Sequence, residues 1–461
     1  MKANKGHHMP HGWATTDVGS VTASMKNGIY KPGQYYNETG IPCLRMYNIE
    51  GGKVVWRDIK RMELSDEEKA DYALREKDIL VNRVNSRELV GKSAAIPVGL
   101  GDCVFESKNI RLRLLESCAD SGYLNYWFLA FSRQYFSKNA QQVVGMASVS
   151  QTQIAAMPLL LPPLPEQCRI VAKIEELFTR LDAGIAALQT VKQQIKRYRQ
   201  AVLRDAFTGE LTREWREREL RKAGAWQQTR LGEVAVLITK GSSPNWQGFD
   251  YCDDGVIFVR SQNVGWGRLD LTDVAHLPAA FNEKERKSVL REGDVLVNIV
   301  GASIGRVALA SGQVDGGNVN QAVATVRLDP EQAFGPYIMH YLLSPSAQAH
   351  MQNEKVDVAR ANISLDDLRH FPVPLPELPE QHQVVREVDR HFSLADSAEK
   401  AVDESLAKAE HLRQSILKQA FEGKLVPQDP NDEPAEKLRE RIRAARSHSA
   451  RSTRRKDKGE D

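Results

Sequence analysis

The sequence has few cysteines, no long hydrophobic run and almost no net charge. Its five cysteines are dispersed, odd in number and without a Cys-x-x-Cys pair, which argues against a disulfide framework and against a zinc site. No stretch approaches the ~18 consecutive apolar residues of a membrane-spanning helix. Residues 1–16 are polar and lack the apolar segment of a signal peptide. These absences predict a cytoplasmic protein with reduced thiols.

The charge balance names no partner by itself. The net charge of +3 comes from 63 Lys and Arg against 60 Asp and Glu, so a nucleic-acid surface would have to come from local clustering. The 461 residues are 41% hydrophobic and 27% charged, which is typical of a globular protein able to bury a core. A chain of this length predicts roughly two to four domains.

Motifs that would make the chain an enzyme are also missing. Residues 90–93 resemble the end of a phosphate-binding P-loop, but Ser86 stands where the loop needs a glycine, five residues before Gly91. Pro162 and Pro163 lack the polar and aromatic flanks of an adenine methyltransferase loop. The 11 histidines include no His-Glu-x-x-His motif. The sequence therefore predicts no catalytic residue and no metal ligand.

What the sequence does contain is an internal repeat. Shifted by 214 positions, residues 158–211 align without a gap on residues 372–425, with 18 of 54 positions identical. Unrelated segments would share roughly 6% by chance. The segments upstream match only at scattered positions, among them Trp13 and Trp226, Gly19 and Gly232, Arg45 and Arg260, Asn48 and Asn263, Asp78 and Asp294, Gly91 and Gly305, Arg113 and Arg327, Tyr123 and Tyr337, and Ser150 and Ser364. Two divergent domains therefore alternate with two copies of one block.

Each repeated block predicts a helix of ~40 residues, or ~60 Å. Pro165 and Pro379 suit the first helical turn, and Gly209 and Gly423 suit the carboxyl caps. Apolar residues follow a heptad at Ile174, Leu177, Leu181, Leu188, Val191, Ile195, Tyr198 and Val202, and at Val388, Ala395, Val402, Ala409, Leu412 and Ile416. We expect the two helices to pack on each other. The alternative is that each packs only on its own globular neighbour.

The divergent segments predict mixed α+β domains. Short β-branched runs lie between clusters of Gly, Asn and Asp, as strands do between turns, and a helix is predicted near residues 123–131 and again near 337–343. The predicted domains are 1–157, a helical spacer at 158–211, a second domain at 212–371, a second spacer at 372–425, and a charged, largely disordered tail at 426–461.

The order and duplication of these segments resemble the DNA specificity subunit of type I restriction-modification systems. The resemblance rests on Leu-Pro-Glu-Gln at 164–167 and 378–381, on Ala-Phe-x-Gly-x-Leu at 206–211 and 420–425, and on the stretch 294–306, which is similar to the family's target recognition domain. It spans the chain from Trp13 to Leu425. Residues 85–87 depart from the family's glycine-rich turn, whereas Gly301 and Gly305 keep it.

The resemblance implies a non-catalytic subunit that binds double-stranded DNA and no cofactor of its own. Two modification subunits would bind S-adenosylmethionine and methylate adenine, and two restriction subunits would use ATP and Mg to move along DNA and cut it. No membrane association is expected. Two like domains, each followed by a like helix, can close around a pseudo-two-fold axis with the helices in an antiparallel coiled coil. Each domain would read a half-site in the major groove, giving a bipartite, asymmetric target with a fixed unread gap.

Arg and Asn side chains have the right chemistry to read guanine and adenine edges. The candidate DNA contacts are Lys31, Arg45, Asn48, Arg83, Arg87 and Lys92 in the first domain, and Lys240, Asn245, Arg260, Asn263, Arg306, Arg360 and Asn362 in the second. The Arg45–Asn48 and Arg260–Asn263 pairs occur in both copies, which favours a scaffold or phosphate role for them. The residues that differ between the copies are the better candidates for base reading.

Two other functions remain open from the sequence. The chain could be a protein-interaction scaffold built on a coiled coil, in which case it should show no salt-dependent affinity for duplex DNA. It could also be a fused or split restriction enzyme in which this chain is catalytic. Methyl transfer by the purified chain with S-adenosylmethionine would support that second alternative.

Overall fold

The computed structural model describes residues 9–115, 118–139, 141–143, 146–219, 226–353 and 362–444. The chain divides into two compact units. Unit 1 consists of Met1–Ala186 with Leu406–Asp461, and unit 2 consists of Ala187–Ser405. Each of the two repeated blocks forms one long helix, and each helix gives one half to each unit. We call Leu164–Phe207 long helix 1 and Leu378–Phe421 long helix 2.

Unit 1 contains many short strands and a few short helices besides its share of the long helices. Its strands are Ala14–Asp17, Thr22–Asn27, Tyr36–Asn37, Ile41–Leu44, Ile49–Glu50, Lys53–Val54, Lys60–Met62, Ile79–Asn82, Val84–Asn85, Ser93–Ala95, Val104–Phe105, Asn109–Leu114, Gln141–Val143, Met146–Ser148 and Pro158–Leu161. Its other helices are Val18–Val21, Gly33–Tyr35, Met46–Asn48, Asp66–Tyr72, Ser121–Asn139, Gln151–Ala155 and residues 435–444.

Unit 2 has the same kinds of element. Its strands are Gln227–Arg230, Ala235–Lys240, Val256–Val259, Ala275–Leu277, Val295–Asn298, Val307–Leu309, Asn318–Val319, Val323–Leu328 and Pro372–Leu375. Its other helices are Arg213–Glu219, Leu231–Glu233, Pro244–Gln247, Ser261–Asn263, Ala280–Lys284, Arg286–Ser288, Gly301–Ser303, Gly312–Val314, Gly335–Leu342, Pro345–Asn353 and Leu365–His370.

The main sheet has the same four-stranded antiparallel order in both units. In unit 1 the order is Ser93–Ala95, Ile79–Asn82, Asn109–Leu114 and Thr22–Asn27. In unit 2 it is Val307–Leu309, Val295–Asn298, Val323–Leu328 and Ala235–Lys240. The predicted α+β class and the repetition of one scaffold are therefore confirmed.

A second, smaller sheet is also shared. It pairs Ile41–Leu44 in parallel with Val104–Phe105 in unit 1, and Val256–Val259 in parallel with Asn318–Val319 in unit 2. On its other side, Ile41–Leu44 pairs antiparallel with Lys60–Met62, and Val256–Val259 pairs antiparallel with Ala275–Leu277. The upstream sequences match only at scattered positions, so those positions should be the ones that hold this common topology.

A buried carboxylate–arginine pair is one such shared feature. Asp78 accepts hydrogen bonds from the Nε and Nη2 atoms of Arg113, both at 2.8 Å. Asp294 accepts the same two bonds from Arg327 at 2.8 and 2.7 Å. Each aspartate side chain is only 2% exposed and also accepts a backbone N–H three residues earlier. This two-point pairing joins the start of one central strand to the neighbouring strand.

The glutamine of each Leu-Pro-Glu-Gln motif fixes the start of a long helix. Gln167 accepts the backbone N–H of Asp120 at 2.8 Å, and Gln381 accepts that of Phe334 at the same distance. Each side chain also donates to a carbonyl five residues earlier, at 2.9 Å. Both glutamines are fully buried, so the repeated motif ties each long helix to the helix of its own domain.

The two long helices pair in antiparallel fashion within each unit. They have 44 residues each, or about 66 Å. In unit 2, Lys192 pairs with Asp403 at 2.8 Å and Arg199 with Glu399 at 2.7 Å, so residue numbers rise on one helix as they fall on the other. In unit 1, Arg413 bonds Asp182. The predicted antiparallel coiled coil is therefore confirmed. Neither of the two helices is apolar enough to span a membrane.

Fewer residues are buried between the two helices than the heptad pattern predicted. The buried heptad positions are Ile174, Ile195, Val202, Val388, Ala395, Val402, Ala409 and Ile416, while Leu177, Leu181 and Leu188 are partly buried. Three predicted seam residues are instead exposed: Val191 at 39%, Tyr198 at 40% and Leu412 at 51%. Tyr198 still contacts the partner helix, since its hydroxyl bonds His391 Nδ1 at 2.5 Å and the two rings meet edge to face. Ion pairs flank the seam in the middle of the pair.

The prediction of a disordered tail is wrong for residues 426–444. Residues 435–444 form a helix, and Ala435, Leu438 and Ile442 are buried in the core of unit 1. Arg169 of long helix 1 pairs with Asp432 at 2.6 Å. Burial of these three apolar side chains outweighs the charge of the segment. Residues 445–461 lie outside the part of the chain that the structure describes.

Candidate nucleic-acid interface

A glycine begins the first variable loop at the same place in both units. Gly28 follows the edge strand Thr22–Asn27 and Gly241 follows the edge strand Ala235–Lys240. A Cβ on Gly28 would lie 2.1 Å from the carbonyl oxygen of Glu106, and one on Gly241 would lie 1.6 Å from that of Val319. Only glycine permits this approach. We call the loops that follow, residues 28–40 and 241–255, the aromatic loops.

The aromatic loops present large rings to solvent. Tyr30 is 78% exposed in unit 1, and Trp246 is 79% and Tyr251 54% exposed in unit 2. Trp246 lies on the short helix Pro244–Gln247, which ends at Gly248 with φ +79°. Side chains of this size usually contribute to a core or an interface. The two loops differ in sequence and length, so they expose different rings from one scaffold.

Three predicted DNA contacts lie in or beside the aromatic loops. Lys31 bonds Glu68 at 2.5 Å and stacks over the Tyr35 ring at 4.7 Å, so it orders its own loop. Lys240 and Asn245 are exposed, immediately before and within the loop of unit 2. Their polar ends remain accessible next to Trp246.

The shared Arg–Asn pairs are part of the scaffold. The Asn48 Oδ1 atom accepts the backbone N–H of Arg45 at 2.9 Å, and Asn263 accepts that of Arg260 at the same distance. The Nδ2 atom of Asn48 donates to two loop carbonyls, at 3.2 and 2.8 Å, and that of Asn263 does so at 2.9 and 2.8 Å. Both asparagines are buried. Because their amides are already occupied, Asn48 and Asn263 leave the list of candidate DNA contacts and take the scaffold role that their presence in both copies favoured.

The two arginines of these pairs are also engaged. Arg45 pairs with Glu106 at 3.3 Å and lies over the Tyr47 ring at 5.4 Å. Arg260 donates to the carbonyl of Asp273 at 3.0 Å and pairs with its carboxylate at 3.2 Å. Both arginines are partly exposed, so they remain able to meet a phosphate at one side.

Each buried asparagine holds a second variable loop that also carries an exposed tryptophan. Trp56 in residues 49–57 is 51% exposed, and Trp266 in residues 264–273 is 61% exposed. We call these the asparagine-held loops. Neither tryptophan was among the predicted DNA contacts. The available signal was their position, within ten residues after an Arg–Asn pair that both copies share.

A third variable region follows the strand Ile79–Asn82 in unit 1 and the strand Val295–Asn298 in unit 2. In unit 1, Arg87 donates two hydrogen bonds to the Ser137 carbonyl, at 3.3 and 2.9 Å. Lys92 is half-buried, and burial lowers the pKa of its ammonium group. The Nε atom of Arg83 is buried without a hydrogen-bond partner among the described residues. Of these three side chains, only Arg87 is exposed.

The corresponding region of unit 2 is a glycine turn. Arg306 is partly buried and follows Gly305, whose φ is +85°. Asn362 is exposed and its backbone bridges that of Val300. Arg360 lies outside the described residues. Lys240, Asn245 and Asn362 are therefore the exposed predicted contacts of unit 2.

The described part of the chain contains no cluster of metal-binding side chains. Within the described ranges, no three His, Cys, Asp or Glu side chains lie close enough to hold a metal ion. All five cysteines are free, and burial raises the pKa values of the Cys43 and Cys103 thiols. What the loops offer is aromatic surface, amide groups and cations, which suits binding to a polyanion with flat bases.

Similar proteins have been characterised. The chain is 29% identical to the type I restriction enzyme EcoKI specificity subunit of Escherichia coli strain K12, over 97% of this chain and 98% of that protein. It is 35% identical to the EcoBI specificity subunit of Escherichia coli, over 63% of this chain and 65% of that protein.

Solved structures share the fold. A chain from a structure of a type I R-M system, concerned with complex assembly and conformational transition, matches 90% of this chain and 99% of its own length, with a TM-score of 0.70 at 21% identity. The HsdS subunit of Thermoanaerobacter tengcongensis matches 91% of this chain and 99% of its own, with a TM-score of 0.55 at 20% identity.

A family model matches the chain twice, once in each half. The matched residues are 10–197 and 224–407, which include both variable domains and most of both long helices. These two matches coincide with the repeat found in the sequence and with the topology shared by the two units. This chain therefore belongs to the family of type I restriction modification DNA specificity domain proteins.

Proposed function

We propose that the chain is the sequence-specific DNA-binding subunit of a type I restriction-modification complex, reading a bipartite, asymmetric target with a fixed unread gap. The observation that carries the proposal is the contrast between scaffold and loops. Shared residues such as Asn48, Asp78 and Gln167 are buried and hydrogen-bonded. Trp246, Trp56 and Trp266 instead stand exposed on loops that differ. A duplicated scaffold with two different exposed loop sets is suited to reading two different half-sites.

The chemistry of these loops fits base recognition in a duplex. An exposed indole can contact the thymine methyl group in the major groove, and an amide such as that of Asn245 can pair with an adenine edge. Lys240 beside them can neutralise a phosphate. The buried pairs Asp78–Arg113 and Asp294–Arg327 keep the loops on rigid strands, which lowers the entropy lost on binding.

The proposal assigns chemistry to partner subunits. This chain would be non-catalytic and would bind no cofactor, and it would direct two modification subunits that use S-adenosylmethionine to methylate adenine. Two restriction subunits would supply ATP-dependent, Mg-dependent cleavage. The complex would work in the cytoplasm, where it meets genomic DNA.

Methylation mapping tests the proposed function. In a host that expresses this chain with its modification partners, genomic N6-methyladenine should occur in a gapped, two-part motif, and deleting this chain should remove that motif. An uninterrupted palindrome, or methylation unchanged by the deletion, contradicts the proposal. If the purified chain shows no salt-dependent affinity for duplex DNA, the protein-scaffold alternative is favoured instead.

A Trp246→Ala variant should relax one half-site only. Loss of an indole that contacts a base should weaken binding to the full target by about 1–3 kcal/mol, or roughly 5- to 150-fold, and leave non-specific binding unchanged. Selection from a duplex library with the intact complex measures this. Val236→Ala is the matched control, since Val236 is 63% exposed in the same unit but lies on a strand. Equal effects of the two variants would exclude a reading role for Trp246.

A further inference from the structure

Long helix 1 carries a basic stripe in unit 2 that the helix pair does not use. Gln193, Lys196, Arg197, Gln200 and Arg204 recur at intervals of three and four residues, so they lie on one face of the helix. The buried seam residues Ile195 and Val202 lie on a different face. The stripe is therefore directed away from the core of the helix pair.

This stripe forms one wall of an open groove. The groove has a volume of about 530 Å³, and Pro345, at the start of the helix Pro345–Asn353, lines its other side. The amino end of a helix carries partial positive charge, which adds to that of the stripe. No acidic side chain lines the groove. We call this surface the basic groove.

The cations of the basic groove are largely unpaired. Within the described chain, neither Lys196 nor Arg197 has an ion-pair or hydrogen-bond partner, and Arg204 meets only the adjacent Asp205, at 3.0 Å. By contrast, Lys192 and Arg199 on the same helix are paired with acids of long helix 2. The helix thus uses one set of cations for pairing and leaves a second set facing solvent.

The repeat provides an internal comparison. At the positions 214 residues further on, Glu410 replaces Lys196 and His411 replaces Arg197, although Gln414 and Lys418 match Gln200 and Arg204. The corresponding face of long helix 2 therefore lacks the two unpaired cations. A purely structural requirement of the scaffold would apply to both copies, so the charge of the basic groove is specific to long helix 1.

We propose that the basic groove binds the sugar-phosphate backbone of duplex DNA through Lys196, Arg197 and Arg204, without reading sequence. This inference rests on the proposed DNA-binding function and extends it to a surface outside the variable loops. Lys, Arg and Gln side chains are typical phosphate contacts, and such contacts fix the position of a protein on the duplex. Because long helix 2 lacks cations equivalent to Lys196 and Arg197, the backbone contacts are asymmetric.

DNA is favoured over an acidic protein because of what the groove lacks. Stable protein interfaces are centred on buried aromatic or aliphatic anchors, whereas no aromatic or branched aliphatic side chain lines this groove. Interfaces with DNA are instead polar and strongly positive. An open groove with three cations and two amides matches the second description.

Salt-dependent binding of the full-length chain to a mixed-sequence duplex of about 40 base pairs tests the proposal, because non-specific affinity depends on phosphate contacts. The K196Q/R197Q variant should lower the slope of log affinity against log salt by about two, which is about one per lost contact. The matched control is K400Q, which removes one exposed charge from long helix 2 in the same unit. It should leave the slope unchanged.

The outcomes separate this inference from the function on which it rests. If the wild-type chain binds DNA and K196Q/R197Q keeps the full slope, the basic groove is not a DNA contact, while the proposed function stands. If the variant binds DNA normally but no longer assembles with modification subunits, the groove binds a protein and the inference is overturned. If the wild-type chain shows no salt-dependent binding, the proposed function itself fails. A change in the methylated motif would also overturn the inference, because backbone contacts carry no sequence information.

Discussion

Replacing Asp294 with alanine should lower the free energy of unfolding of unit 2 by about 3–5 kcal/mol, the cost of breaking a buried ion pair. The carboxylate receives two hydrogen bonds from Arg327 and one backbone N–H from Arg291. Its removal leaves a guanidinium that is 18% exposed without its counter-charge. Urea denaturation gives the total loss, and hydrogen exchange of the strand Val323–Leu328 localises it.

The repeat supplies both a sister variant and a control. Asp78→Ala removes the equivalent carboxylate and should increase exchange in the strand Asn109–Leu114 of unit 1 instead. Asp366→Ala removes an exposed aspartate whose one ion pair among the described residues is with His370, at 3.4 Å. It should change stability by no more than about 0.5 kcal/mol. If Asp294→Ala behaved like Asp366→Ala, the buried pair would not hold the sheet as inferred.

Gly241→Ala should destabilise unit 2 by about 3 kcal/mol, since overpacking against backbone forces local displacement. The new Cβ would lie 1.6 Å from the carbonyl oxygen of Val319 and 2.8 Å from that of Asn320. Neither atom can move without disturbing the parallel pair Val256–Val259 and Asn318–Val319. The aromatic loop starts at this glycine, so we also expect a loss of target affinity although Trp246 is still present.

Thermal unfolding and target binding, measured together, check this expectation. Gly33→Ala is the control in the aromatic loop of unit 1, where a Cβ would meet no atom within 4 Å and where φ is not positive. It should leave stability and binding close to those of the wild type. A stable Gly241→Ala protein with full affinity would show that the close approach of the two backbones is not required.

The long helices and their pairing could be predicted because their signals are strong and local. A gapless repeat, a heptad and capping glycines all agree, and the helices end two residues before Gly209 and Gly423, whose φ values are +81° and +68°. The exposure of Val191, Tyr198 and Leu412 could not be predicted, because a heptad does not show how closely the partner helix approaches. Tyr198 is exposed along one edge but still contacts His391 of long helix 2, so it lies at the border of the seam.

The candidate site was harder to predict because the same residue type serves opposite roles. Asn48 and Asn245 are both asparagines on short helices beside variable loops, yet one is buried under backbone bonds and the other is exposed. Trp13 and Trp246 differ in the same way, since Trp13 donates to the buried Glu166 at 3.0 Å. Sharing between the copies was the informative signal: it favoured a scaffold role for the Arg–Asn pairs, and the structure agrees for both asparagines.

The helix in the charged segment after long helix 2 was not predicted, because only three apolar residues mark its period among many charged ones. Ala435, Leu438 and Ile442 are spaced by three and four residues, which places them on one helical face. Their burial depends on a partner far away in sequence, since the Ala435 N–H donates to the carbonyl of Gly12 at 2.8 Å. No local pattern shows that such a partner exists.

The docking of residues 426–444 on unit 1 has a consequence for biosynthesis. Unit 2 is one continuous stretch of chain, so it can fold as soon as the ribosome has released it. Unit 1 begins earlier but needs Ala435, Leu438 and Ile442 to complete its core, and these are translated after all of unit 2. The part of the protein that is made first is therefore finished last, and a nascent chain would carry an incomplete amino-terminal unit throughout most of its synthesis.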